Sequence, residues 1–178
     1  MSTSPSPSPA PAPRKLVVDR YAEGGLLLPQ ASSNLTPELS TARPGPGAWS
    51  IAELVAHLLD ADLVLAERMK RVIAEDDPPL LAFDEAAWVD RLDSHAMPVD
   101  EAAALFAANR KWMARVLGAQ EDRAFARSGI HSEIGRITLA ELVVKANSHL
   151  DHHLKFLYAK RANLGVSLYP RYSGNPGH

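Results

Sequence analysis

The chain of 178 residues contains no cysteine at all. That excludes disulfide bridges, thiolate metal sites and a cysteine nucleophile, and it removes any requirement for an oxidising compartment; a reducing cytoplasm is the expected location. Charge of one sign is also lacking. With 19 Lys and Arg against 21 Asp and Glu the formal net charge is −2, so no basic field recruits nucleic acid or an anionic membrane surface. No apolar run reaches transmembrane length, and the opening MSTSPSPSPAPAPRK has neither the basic nor the apolar region of a secretory signal.

What is present is enough apolar material, 46% of residues, for one domain with a proper core and too little chain for two. The Ser/Pro/Ala alternation of residues 1–15 predicts an extended, unpacked tail; a single domain is expected over 16–165, followed by a C-terminal extension over 166–178.

Within the domain the apolar spacing is helical. A first helix is expected over 16–34, interrupted in pattern by Gly24, Gly25 and Pro29, and TARPGPGAWS must be a loop. Ser50 and Glu53 then form a capping box, with Trp49 and Leu54 in the flanking staple positions, so a long helix starts at Ser50 and runs to Glu75, where DDPP ends it. Residues 76–97 form a long connection with room for a short helix in FDEAAWVDRL. A third long helix follows over 99–118. RSGIHSEIGRI is rich in turn and β-branched residues and predicts a small extended turn. Thr138 and Glu141 make a second capping box, flanked by Ile137 and Leu142, which opens a last helix ending near Asn163 and Gly165. The fold class is therefore all-α, a four-helix bundle. The long connection between the second and third long helices leaves those two parallel, since only short loops force antiparallel neighbours.

The segment SHLDHHLKF places three histidines within five positions of the last helix. At 100° per residue, His153 lies about 35° and His149 about 75° from the centre of the stripe formed by Leu139, Leu142, Ala146, Leu150, Leu154 and Leu157. His152 falls on the opposite, solvent side with Glu141 and Lys145. The remaining i, i+4 pair suits a shared ion, although hydrogen-bonded core histidines have the same placement. His57, at the margin of the apolar face of the second long helix, supplies a third nitrogen donor. Three imidazoles suit zinc, nickel or another borderline first-row ion and leave coordination positions open, as catalytic sites do. Leu150 follows His149, so the HExxH glutamate of zinc peptidases is missing.

PGPGAWSIAELVAHLLDAD followed by HSEIGRITLAELVVKANSHLDHHL resembles the DinB/YfiT-like superfamily of bacterial four-helix metalloenzymes over roughly residues 20–162. In that family one segment of the form W-S-x-x-E-x-x-x-H gives one metal ligand and H-x-x-x-H gives two, matching His57, His149 and His153. The resemblance implies up-down-down-up topology, a homodimer, and nickel, zinc or a similar divalent ion. It also implies an enzyme acting on a small molecule, an S-transferase or isomerase that borrows a low-molecular-weight thiol; the same open three-histidine site would serve a hydrolase, and a non-catalytic, stress-associated metal-binding dimer is the alternative. Asp60, one turn beyond His57, is a candidate to orient a ligand, with plain solvation as its alternative, and His131 is a candidate for lining the pocket, with a solvated loop as its alternative. Asp62 falls within the apolar stripe, where an arginine across the bundle would satisfy it. His95 and His178 receive no role.

Overall fold

Two reciprocal caps begin the helices on which the rest of the molecule is arranged. In the computed structural model, which describes residues 14–166 and Leu168, Ser50 Oγ accepts from Glu53 N at 3.2 Å while the Glu53 carboxylate accepts from Ser50 N at 2.7 Å. Thr138 and Glu141 repeat the exchange at 3.2 and 2.8 Å. Each pair satisfies backbone donors that an uncapped helix leaves open.

In chain order the elements are α1 (Arg14–Ala31), α2 (Pro37–Thr41), α3 (Ile51–Ala74), β1 (Pro79–Leu80), α4 (Glu85–Arg91), a 3₁₀ turn (Ser94–Ala96), α5 (Val99–Gly118), a second 3₁₀ turn (Asp122–Ala126), β2 (Ser128–His131), β3 (Gly135–Thr138) and α6 (Leu139–Asn163). The expected tail lies outside the described residues except for Arg14 and Lys15, which already belong to α1, and the C-terminal extension lies outside them except for Val166 and Leu168.

The long helices α1, α3, α5 and α6 enclose two apolar clusters that report their directions. One joins Tyr21 of α1, Leu65 to Val72 of α3, Met113 and Leu117 of α5, and Leu139 to Ala146 of α6. The other joins Leu28 and Ala31, Leu54 to Leu58, Ala103 and Phe106, and Leu150 to Leu157. Helices α3 and α5 thus run the same way while α1 and α6 run against them, the up-down-down-up order. No helix among the described residues is long and apolar enough to cross a membrane.

Four details differ from the sequence reading. Helix α1 starts two residues earlier and stops at Ala31 rather than at 34, because Ser32 Oγ turns back onto the Leu28 carbonyl at 2.8 Å and Asn34 takes a left-handed φ of 56°. Its glycines lie against Arg110: a Cβ on Gly24 would stand 2.4 Å from Arg110 Nη1 and 3.0 Å from Leu150 Cδ2, and one on Gly25 3.2 Å from Arg110 Cβ. Helix α2 was not foreseen, although Thr36, Pro37 and Glu38 form a short helix start and Thr36 caps Leu39 N. The extended turn is a full hairpin: β2 pairs antiparallel with β3, and β1, from the long connection, joins β2 in parallel through Leu80 and His131. That third strand rests on a pairing some fifty residues apart, for which local periodicity carries no signal.

Candidate metal centre

His57 sits almost two turns into α3, and its side chain is 99% buried. Across the bundle, His149 and His153 project from successive turns of α6 and remain half-buried. The Nε2 atom of His57 lies 3.2 Å from that of His149 and 3.2 Å from that of His153. Trp49, the residue before the α3 cap, lays its ring against His57 with centroids 5.1 Å apart. The sequence feature that starts the helix also walls the site.

Burial sets the charge of this cluster. It pushes the imidazoles of His57 and His153 down to about 4 and that of His149 down to about 3, the neighbouring histidines adding mutual repulsion at His149 and His153. All three are neutral at pH 7, the form in which imidazole binds metals.

The arrangement fits an ion better than it fits itself. A neutral ring nitrogen has either one hydrogen or one lone pair, so His57 Nε2 can bond well to only one of its two close neighbours. Metal–nitrogen bonds of about 2.0–2.1 Å at tetrahedral to octahedral angles place ligand nitrogens about 2.9–3.4 Å apart, which brackets the observed 3.2 Å. Three convergent nitrogens without a thiolate or ligating carboxylate suit zinc, nickel or a similar divalent ion. His153 Nδ1 is buried without a hydrogen-bond partner among the described residues, so no protein acceptor orients that ring from behind.

The other site candidates separate. His152 is exposed, edge-on to His153 and Phe156, as its helical angle predicts. Asp60 does not join the cluster; half-buried, it lines an apolar groove of about 450 Å³ with Leu59, Leu92, Met97 and Leu105, where burial raises its pKa. His131 is no solvated loop residue. It is 93% buried at the end of β2, accepting from Glu133 N at 3.2 Å, and burial followed by the charge of Arg68 lowers its pKa. It too stands apart from the three nitrogens.

One acidic residue was missed. Glu85, the first residue of α4, places Oε2 3.7 Å from His57 Nε2, with its side chain 49% exposed. The acidic start of FDEAAWVDRL is visible in the sequence, but that this end of the helix faces His57 is not. A cavity of about 270 Å³ lined by Trp49, Leu54, His153, Phe156 and Lys160 opens beside the cluster. A larger depression of about 600 Å³ around Ile73, Gln120 and Arg127 lies at the other end of the bundle.

The family model described as the DinB superfamily matches residues 27–157. The chain belongs to that superfamily. Among curated relatives, YfiT of Bacillus subtilis is 28% identical over 123 residues, 68% of each chain, and OB0413 of Oceanobacillus iheyensis is 26% identical over 117 residues, 66% of this chain and 67% of that one. Both carry the provisional name of metal-dependent hydrolase. The solved structure of B. subtilis YfiT, described as a probable metal-dependent hydrolase with an unusual four-helix bundle topology, superposes with a TM-score of 0.82 at 23% identity over 93% of this chain and 95% of that one. The DinB-like YjoA of B. subtilis gives 0.62 at 16% identity, over 88% and 96%. At these identities the two structures establish the fold, a four-helix bundle.

Proposed function

We propose that this DinB-superfamily chain is a metal-dependent enzyme of the hydrolase type, with His57, His149 and His153 as the ligands of a zinc or nickel ion. The observation that carries the reading is the convergence of the neutral His149 and His153 Nε2 atoms on His57 Nε2, each at 3.2 Å, and the names of the relatives are consistent with it. Bound there, such an ion supplies Lewis acidity and generates a nucleophile from water, or from a thiol, near neutral pH. The protein contributes a walled, partly open face: Trp49 closes one side of His57, and the adjoining cavity admits a small molecule beside His153.

A second reading, transfer of a borrowed low-molecular-weight thiol to a small electrophile, uses the same three ligands. The absence of cysteine favours it, since the chain offers no thiol of its own. The non-catalytic, stress-associated dimer requires a capped centre, and the half-exposed Glu85 and open cavity count against it.

Protein purified without added metal should contain close to one zinc or nickel per chain by elemental analysis, and cobalt-substituted protein should hydrolyse members of a panel of activated esters and amides. A new visible charge-transfer band on adding thiols, with conjugation and no hydrolysis, selects the transferase instead. Substoichiometric metal in the wild-type chain overturns both.

A further inference from the structure

Glu85 reaches the histidines because the connection between α3 and α5 is strapped along α3. Arg68 lies about three turns after His57 and almost on the same face of that helix. It is 95% buried and donates through Nη2 to the Leu81 carbonyl; no carboxylate among the described residues stands within ion-pair distance of it, and the charges of Glu67, Glu133 and Glu85 act on it from further away. The neighbouring residues are pinned to the β2–β3 hairpin: Ser132 N donates to Leu80 O at 3.0 Å, and Ala82 N to Ser132 Oγ at 2.9 Å. Gly129 makes this approach possible, since a Cβ there would lie 2.9 Å from both Leu80 Cδ1 and Pro78 O. From that anchor the chain runs towards His57. Asp84 caps α4 by accepting from Ala87 N at 2.9 Å, and the next residue is Glu85.

The Glu85 carboxylate is not one of the cluster's mutually close donors. Its one ion-pair-range neighbour among the described residues is His57, at 3.7 Å, and half of the side chain is open to solvent. A carboxylate so placed, half open to solvent and beside His57, has free acceptor capacity for a molecule bound at the histidines.

We propose that Glu85 is a catalytic residue of this site, accepting through Oε2 the hydrogen bond and then the proton of the attacking nucleophile, and that Arg68 is the positioning residue that holds the strap carrying it. As the nucleophile's lone pair forms its bond to the electrophilic carbon, its proton passes to Glu85 Oε2. The leaving group departs with its bonding pair and receives that proton back. The proposal rests on the three-histidine reading above.

The test uses the full-length cobalt-loaded protein with azide as an anionic probe. Glu85→Gln should retain wild-type cobalt content and bind azide about fivefold more tightly, because a negative charge beside the open face is gone. On the activated ester that the wild type turns over fastest, kcat should fall at least about a hundredfold with KM little changed. Arg68→Met should shift azide affinity in the same direction, and Arg68→Lys, which can still donate to the Leu81 carbonyl, should restore it. Azide affinity equal to wild type in cobalt-loaded Glu85→Gln overturns the role of Glu85 alone, and it does so whether or not an ester turns over. Loss of cobalt from Glu85→Gln would make Glu85 a ligand and overturn it too, whereas a wild-type chain that binds no cobalt overturns the three-histidine reading together with this one.

Discussion

Of the polar side chains that helix α3 buries, Asp62 and His57 are treated differently by the bundle. Asp62 meets Arg110 Nε at 2.8 Å and Asn109 Nδ2 at 2.8 Å, while Arg110 also donates to the Ala146 carbonyl at 2.8 Å and stacks over the rings of Tyr21 and Phe106. Within this group, Arg110 Nη1, pressed towards Gly24, and Tyr21 Oη are buried without a hydrogen-bond partner among the described residues. About one and a half turns earlier, His57 confronts two further imidazoles with nothing of opposite character between them. The first cluster is satisfied by the chain itself, through residues of α1, α3, α5 and α6, and reads as structure. In the second, His57 Nε2 faces two imidazole nitrogens and can pair well with only one of them, and the side towards Glu85 is open, so it reads as a place for something else. Satisfaction of the buried polar groups distinguishes them, since burial is similar at Asp62 and His57.

The contrast breaks first at Asp62. Asp62→Ala should cost about 3–5 kcal/mol in urea melts, because it leaves the Arg110 guanidinium buried without its counter-charge, while metal content stays at the wild-type level. The double variant Asp62→Leu with Arg110→Met should recover most of that loss. A small cost for Asp62→Ala would mean that the pair is not what holds the helices in register.

The histidines should show the reverse pattern. At a free-metal concentration a hundred times the dissociation constant, bound ion adds about 2.7 kcal/mol to wild-type stability. His57→Ala, His149→Ala and His153→Ala should each abolish that increment and most bound metal, whereas His152→Ala should keep both. Equal metal contents in all four variants would sink the ligand assignment.

Acidity sharpens the same point in the metal-free chain. The three imidazoles are held below the ordinary value of 6.5, at about 4, 3 and 4 for His57, His149 and His153. The unfolded chain therefore binds protons at a higher pH than the folded one. Their contribution to stability is fully present above pH 6.5 and is lost as the pH falls from there towards 4. Urea melts of metal-free His149→Gln between pH 7.5 and 5 should show a shallower decline than the wild type, and parallel curves would refute the linkage.

The smallest effects belong to the caps that deliver both clusters. Ser50→Ala and Thr138→Ala should each cost about 0.5–2 kcal/mol. Ser50 should lie at the upper end, since its partner Glu53 is buried and also bound by Arg43, whereas the Thr138 box is exposed. Equal losses would mean that burial of the box adds nothing.

Much of this is legible in the sequence. The two capping boxes give the starts of α3 and α6, the period of 3.6 puts His149 and His153 inward and His152 outward, and the apolar stripe around Asp62 calls for a cation across the bundle. Those readings concern neighbours within a turn or two, where helical geometry alone fixes which side chains share a face. The glycines of α1 were misleading locally, since they weaken a helix in isolation and are explained only by Arg110 on the facing helix.

The sequence by itself determined the four long helices, the capping boxes of α3 and α6, the bundle and the identity of the three inward histidines, because each depends on periodicity and local hydrogen bonding. Tertiary structure alone decided that Arg110 is the partner of Asp62, that His131 is buried in a strand, that Asp60 faces a different groove, and that Glu85 stands 3.7 Å from His57. Those outcomes depend on parallel packing of α3 and α5 and on β1 lying beside β2, pairings between residues far apart in the chain. Their partners are chosen by how whole elements bury their faces against one another, and no short stretch of sequence contains that choice.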